Sequence, residues 1–259
     1  MANKAPDDIA AAIGAARALL ASRYPDADCA FVAGSIMRGE GTMLSDIDLV
    51  VIFKHVETAW RESLLFGDFP VEAFVHDPET LHWFIDQDVE RGCPTLPNML
   101  AEGRLIGPRI ATGTPLQIEA RQILATGPPP LAGERLDTIR YQITDRLDDL
   151  CGERNAAEIQ AIGIGLYQPL GDLILLGRSR WTGVGKWLPR LLHRLDPALA
   201  GQFDAAFRDL FINADRGALI ALANAELDRH GGRLFEGDHR QAPATARRIS
   251  TSREIDAHG

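Results

Sequence analysis

An α/β domain followed by an all-helical bundle is the architecture this sequence predicts, and three observations predict it. Short apolar runs of strand length alternate with helical patterns as far as Gly127. Gly127-Pro128-Pro129-Pro130 then interrupts the chain more sharply than any other stretch. Beyond it, apolar residues recur only at helical spacing.

The elements follow in order. Pro6 to about Arg23 reads as an amphipathic helix, with Ile9, Ile13, Ala16 and Leu20 at helical spacing and Pro6 suited to a first turn. Cys29 to Ala33 is a short buried strand ending at Gly34-Ser35, and Ile36 to about Gly41 begins a short helix or helical turn. Asp46 to Phe53 is the second strand and Phe69 to His76 the third, with His55 to Gly67 between them helical or irregular. Asp77-Pro78 has the form of an N-cap and first-turn proline, opening a helix that ends at Gly92. A short helix near Asn98 to Ala101 leads to a fourth strand at Arg104-Leu105-Ile106, and Thr114-Pro115-Leu116-Gln117 reads as a capping box.

In the helical half, Leu136, Ile139, Ile143, Leu147 and Leu150 mark one helix, and Asn155 with Glu158 caps a second. Three more span about Lys186 to Leu195, Pro197 to Ile212 and Asp215 to Arg229. These patterns divide the chain at 1–127, 128–235 and a tail of few apolar residues at 236–259, which reads as disordered.

Composition bounds the function. A net charge of −9 argues against tight, sequence-independent binding to a nucleic-acid backbone, which needs a basic surface. Three scattered cysteines, Cys29, Cys93 and Cys151, show no metal-ligand spacing and suit a reducing compartment. No secretory signal or membrane-spanning run is read, so the expected location is the cytoplasm.

The chemistry is concentrated in Asp46-Ile47-Asp48. Residues two apart on a strand share a face, so the two carboxylates project side by side while Ile47, Leu49 and Val51 point the other way. Like charges raise each other's pKa, and a divalent cation relieves the cost. Mg²⁺ held by one or two carboxylates plus substrate phosphates is the common arrangement. Gly34-Ser35, just upstream, is a small-residue turn whose backbone lets phosphates approach the start of the next helix.

The string Gly34-Ser35-Ile36-Met37-Arg38-Gly39-Glu40-Gly41-Thr42-Met43-Leu44-Ser45-Asp46-Ile47-Asp48 resembles the signature of the polymerase-beta-like nucleotidyltransferase superfamily, and especially its minimal and aminoglycoside-modifying branches. The resemblance covers Cys29 to about His76, and the helical half only in general architecture. It implies a small mixed-sheet domain and transfer of a nucleoside monophosphate, AMP from ATP, with release of pyrophosphate. It also implies two Mg²⁺ ions and a third carboxylate on a neighbouring strand. Glu72 in Val71-Glu72-Ala73-Phe74-Val75 is the candidate for metal binding and for accepting the acceptor hydroxyl's proton. Its rival reading is the exposed face of an edge strand, and Asp68 is a poorer alternative.

Ser35 and Arg38 would contact phosphates, although Arg38 reads equally well as a solvated surface arginine. In the helical half, the related antibiotic-modifying enzymes contribute a basic residue to the nucleotide. Lys186 in Trp181-Thr182-Gly183-Val184-Gly185-Lys186-Trp187 is the candidate, with Arg190 behind it; core tryptophans and a snorkelling lysine are the equal alternative. His76 and His82 read as boundary or surface residues, and Asp86, Asp88 and Glu90 as a solvated face, with Asp88 or Glu90 lining an acceptor cleft as the alternative. The expected acceptor is a small-molecule hydroxyl, by resemblance an aminoglycoside-like polyol. A protein acceptor, as for adenylylating antitoxin-like members, and a non-catalytic nucleotide-binding module are the two rivals.

Overall fold

A computed structural model of the protein describes residues 6–42, 44–243 and 246. After helix α1 (Pro6–Arg23), the chain lays down β1 (Cys29–Ala33), β2 (Ile47–Ile52), β3 (Trp60–Phe66) and β4 (Phe69–His76). Helices α2 (Pro78–Glu90) and α3 (Thr95–Glu102), strand β5 (Arg104–Ile106) and helix α4 (Ile110–Thr126) complete this half. The strands form one mixed sheet in the order β3-β4-β2-β1-β5, with β2 and β4 parallel and the other neighbours antiparallel.

Strand periodicity sorts the sheet's two faces. Ile47, Leu49 and Val51 join Val71, Ala73 and Val75 against Ala12, Ala16 and Leu19 of α1. Val50, Ile52 and Phe31 point the other way, into a core with Leu81, Ile85, Leu100 and Leu116 of α2–α4. Asp48 and Glu72 lie on this second face by the same alternation, beyond the end of its apolar cover.

The segment expected to be helical or irregular contains strand β3, so Arg104–Ile106 is the fifth strand rather than the fourth. Its alternation is masked by Glu62, an acid on the α1 side that accepts from Tyr24 Oη at 2.8 Å and pairs with Arg23. Gly67, at φ +57°, turns β3 into β4.

Helix α4 starts at Ile110, so Thr114 is not its cap; the Thr114 hydroxyl donates back to the Ile110 carbonyl at 3.1 Å and Pro115 lies inside the helix. His76 is buried rather than superficial, and burial lowers its pKa to about 4. Asp88 is also buried, where it accepts the Leu96 N–H at 2.7 Å and caps α3.

The second half packs α5 (Gly133–Cys151), α6 (Ala156–Leu176), α7 (Trp187–Leu195), α8 (Pro197–Asn213) and α9 (Gly217–Asp228) around one core. Contrary to the sequence reading, α6 is long and apolar enough by length and composition to cross a membrane. One face of it is spent on the bundle, where Leu166, Leu170, Leu173 and Ile174 are fully buried among Ile143, Leu188, Phe203 and Leu219, while Ile164 is exposed. At the start of the predicted tail, residues 236–243 have no helix or strand, but Arg240 lies over the Tyr141 ring at 5.1 Å. Apart from residue 246, the remainder of that tail lies outside the described residues.

Candidate functional site

Two sheet registers build the site. Asp48 is opposite Ala33 of β1 on one side and Glu72 of β4 on the other. Asp46 comes just before β2, and with Asp48 and Glu72 it offers carboxylate oxygens that all lie within 4.8 Å of one another. All three are half-buried. Asp68, the alternative third acid, is exposed in the β3–β4 turn.

Gly34 makes room for this cluster. It adopts φ +95°, and a Cβ there would collide with the Asp48 carboxylate. From Gly34 the chain forms turns over 35–39 rather than a helix, then returns to β2. Ser45 closes the loop: its hydroxyl accepts the Thr42 N–H at 2.8 Å and the Ser35 hydroxyl at 3.0 Å. The Ser35 side chain is thus drawn toward its own loop, at the base of the cleft.

Among the described residues, nothing donates a hydrogen bond to Asp46 or Asp48. Burial raises the Asp48 pKa to about 6, and the charges of Asp46 and Glu72 push it the same way. Arg38 and Lys186 oppose the shift, which puts both cations within electrostatic reach of Asp48. Glu72 differs from the two aspartates: it is ion-paired with Arg61 of the neighbouring strand, whose guanidinium also lies 5.6 Å from the Phe74 ring. Three convergent oxygen donors, two of them without a hydrogen-bond donor among the described residues, fit a hard divalent ion.

The helical half reaches this cleft through the segment before α7. Thr182 N–H donates to the Gly92 carbonyl at 2.8 Å, and Trp181 Nε1 donates to the Leu124 carbonyl at 3.0 Å. From these two anchors the chain runs to Lys186, which is exposed at the N-terminus of α7, and to Trp187. Trp187 is not a core residue. Arg38 of the sheet domain lies 4.8 Å from its ring centroid, and Arg190 of α7 lies 5.1 Å away.

Beside Asp46 and Glu72 lies an open cavity of about 470 Å³, whose other walls are Ser63, Leu64, Leu65, Pro70 and Val71. Sequence reasoning missed the β3 contribution, Arg61 and Ser63, because the strand itself was not recognised. It also left Glu40 without a role, although the carboxylate contacts both Arg38 and Arg190.

Residues 16–92, which contain the turn, the acid cluster and β1–β4, match the nucleotidyltransferase domain family. The chain carries a nucleotidyltransferase domain. Nucleotidyl transfer is accordingly its reaction class, and the sheet, the turn and the acids are consistent with the polymerase-beta-like superfamily. A nucleotidyltransferase-like protein from Exiguobacterium sibiricum 255-15, known from a crystal structure, is similar over 83% of this chain and 72% of its own, at 15% identity and a TM-score of 0.44. No curated protein matches the sequence. A nucleotidyltransferase domain implies a nucleotide substrate, and the acid cluster fits the divalent metal typical of the family.

Proposed function

We propose that this nucleotidyltransferase uses Mg²⁺ to transfer AMP from ATP to a hydroxyl of a small molecule, releasing pyrophosphate. The observation that supports this most strongly is the convergence of Asp46, Asp48 and Glu72 beside the Gly34 turn, with no donor to either aspartate carboxylate among the described residues. The acceptor oxygen bonds to the α-phosphorus as the bond to the β-phosphate oxygen breaks, and pyrophosphate departs with that electron pair. Bound to these carboxylates, Mg²⁺ would supply charge stabilisation for the attacking and leaving oxygens. Asp46 and Asp48 hold that charge in register with the Gly34-Ser35 turn, whose backbone faces the phosphates. Glu72 takes the acceptor's proton once Arg61 releases it. Arg38 and Lys186 offset the part of the triphosphate charge that the ions leave.

The cavity of about 470 Å³ beside Asp46 and Glu72 has the scale of a small-molecule site. Its apolar walls favour a hydroxyl compound with an apolar portion over a polycation, since its acids are those of the catalytic cluster itself. A protein acceptor is the second reading, favoured by Leu44 and Leu65, which are 91% and 78% exposed near the same acids.

Incubation with Mg²⁺, each labelled nucleoside triphosphate and a panel of neutral, cationic and protein hydroxyl acceptors tests both. Pyrophosphate release with a small-molecule adduct in mass spectra is the expected result. Label on protein alone would move the assignment to the second reading. Nucleotide binding with no turnover on any acceptor would sink both.

A further inference from the structure

Glu40 sits where an anion is electrostatically favoured. Its carboxylate lies 3.5 Å from Arg38 Nε in the sheet domain and 3.2 Å from Arg190 Nη1 in the helical domain. Both guanidinium groups lie over one indole, that of Trp187, so two like charges are held close by a π-face and a single carboxylate. Arg38 is only partly satisfied by this arrangement. Its Nη1 donates to Glu102 at 3.2 Å, but its Nε is buried and hydrogen-bonds to nothing among the described residues. The contact from Nε to Glu40 is thus a charge contact with an unused donor, and a buried guanidinium donor without an acceptor is costly.

We infer that Glu40 holds, between Arg38 and Arg190, the place that the terminal phosphate of the nucleotide takes, and that Trp187 is the joint through which this exchange acts on both domains. This rests on the reading that a nucleoside triphosphate binds beside Asp46 and Asp48. A phosphate carries more charge and more acceptor oxygens than a carboxylate, so it satisfies Arg38 Nε and still reaches Arg190. Glu40 is suited to leaving. It is exposed, outside any helix or strand, at the end of the turns that begin at Ser35, and its own N–H donates to the Ser35 carbonyl at 2.9 Å. The carboxylate that bridges the two arginines is therefore tethered to the loop that begins at the Gly34-Ser35 turn. Glu40 acts as a positioning residue: it keeps the two arginines poised and sets a threshold that a triphosphate passes and a monophosphate does not.

The test uses the full chain with Mg²⁺ and non-hydrolysable α,β-methylene analogues of the nucleoside triphosphates, followed by calorimetry and by tryptophan emission. Glu40→Gln should bind the triphosphate analogue several-fold more tightly than wild type and bind AMP no better. Glu40→Asp should restore wild-type affinity. Wild-type emission should change on binding, because the charges over Trp187 rearrange, and Trp187→Phe should lose that change while calorimetry still detects nucleotide. Equal or weaker triphosphate binding by Glu40→Gln overturns the inference, since a simple brace between domains predicts that result. An equal gain for AMP, or an emission change that survives in Trp187→Phe, overturns it as well. Failure of wild type and every variant to bind any analogue would overturn the nucleotidyltransferase reading along with it, whereas wild-type binding without a gain in Glu40→Gln overturns this inference alone.

Discussion

Asp48 in the sheet-bearing half and Asp172 in the helical half are both half-buried carboxylates, and burial raises the pKa of both. Their surroundings are opposite. Asp172 accepts the Thr182 hydroxyl at 2.6 Å and Gln168 Nε2 at 2.8 Å, and each bond pulls its pKa back down. Asp48 has no donor among the described residues and two more acids as neighbours. One carboxylate is solved within the protein, where it ties α6 to the loop that carries Trp181 and Lys186. The other has no such bond among the described residues, which suits the proposed cation. A buried acid whose hydrogen bonds are missing is a stronger pointer to a site than one that the protein has satisfied.

The contrast is broken most forcefully by Asp48→Asn. Removing the charge abolishes the shared cation site, so nucleotidyl transfer should fall by at least about 10²–10³-fold, the scale on which losing one electrostatic group acts. Stability in metal-free buffer should hold or rise, because a repulsive cluster loses one charge. Steady-state kinetics and thermal melting check the two halves of this statement. Near-normal turnover in the variant would falsify the metal assignment of Asp48.

The Asp48 side of this contrast was legible in the sequence through local periodicity, whereas nothing local marked Asp172. Asp46-Ile47-Asp48 sets two acids on one strand face, and Glu72 is the lone acid in an apolar run; the parallel pairing that puts it beside Asp48 needs only those two strands. The turn at Gly34 was legible as a small-residue pair ending an apolar strand, and the structure adds that a Cβ there would collide with Asp48. Strand β3 was not, because Glu62 interrupts its apolar face to meet Arg23 and Tyr24, nearly forty residues earlier in the chain. Glu40 and Arg61, and the contact of Arg190 with Glu40, were hidden for a related reason. Their meaning lies in partners on other elements, and exposed charged residues look alike until those partners are known.

A smaller effect separates the cations from the carboxylates. Lys186 offsets the charge at Asp48 without belonging to the acid cluster. Lys186→Ala should raise the KM for the nucleoside triphosphate roughly tenfold, equivalent to about 1.4 kcal/mol, and leave Mn²⁺ binding to the acids nearly unchanged. A variant with normal nucleotide KM would place the lysine outside the site.

The other side of the comparison is sharpened at Thr182. Thr182→Val removes a donor from Asp172 with little change in volume, leaving a half-buried carboxylate short of one hydrogen bond. Destabilisation of about 1–3 kcal/mol is expected, with metal binding at Asp48 intact. Urea unfolding measures the first and calorimetry the second. A variant as stable as wild type would show that Asp172 is not held by this bond.

The smallest expected effect is a dependence of stability on pH, and two groups in the sheet domain act on it in opposite directions. Asp48 has its folded pKa raised to about 6 from 3.8. Its proton is therefore held more tightly in the folded protein, and its contribution is complete below the unfolded pKa and lost as pH rises through about 6. His76 has its folded pKa lowered to about 4 from 6.5 by burial. It favours folding when neutral, so its contribution is complete above the unfolded pKa and lost as pH falls from about 6.5 toward 4. The wild-type curve alone mixes these terms, but subtracting the Asp48→Asn curve cancels His76. In metal-free buffer, the difference in urea midpoint, wild type minus variant, should grow more negative from pH 4.5 to pH 7.5. Mg²⁺ should shrink it by pairing the ionised Asp48. A difference that is flat with pH, or unmoved by Mg²⁺, would mean that Asp48 ionises as an ordinary surface carboxylate and that its contrast with Asp172 is only one of hydrogen-bond partners.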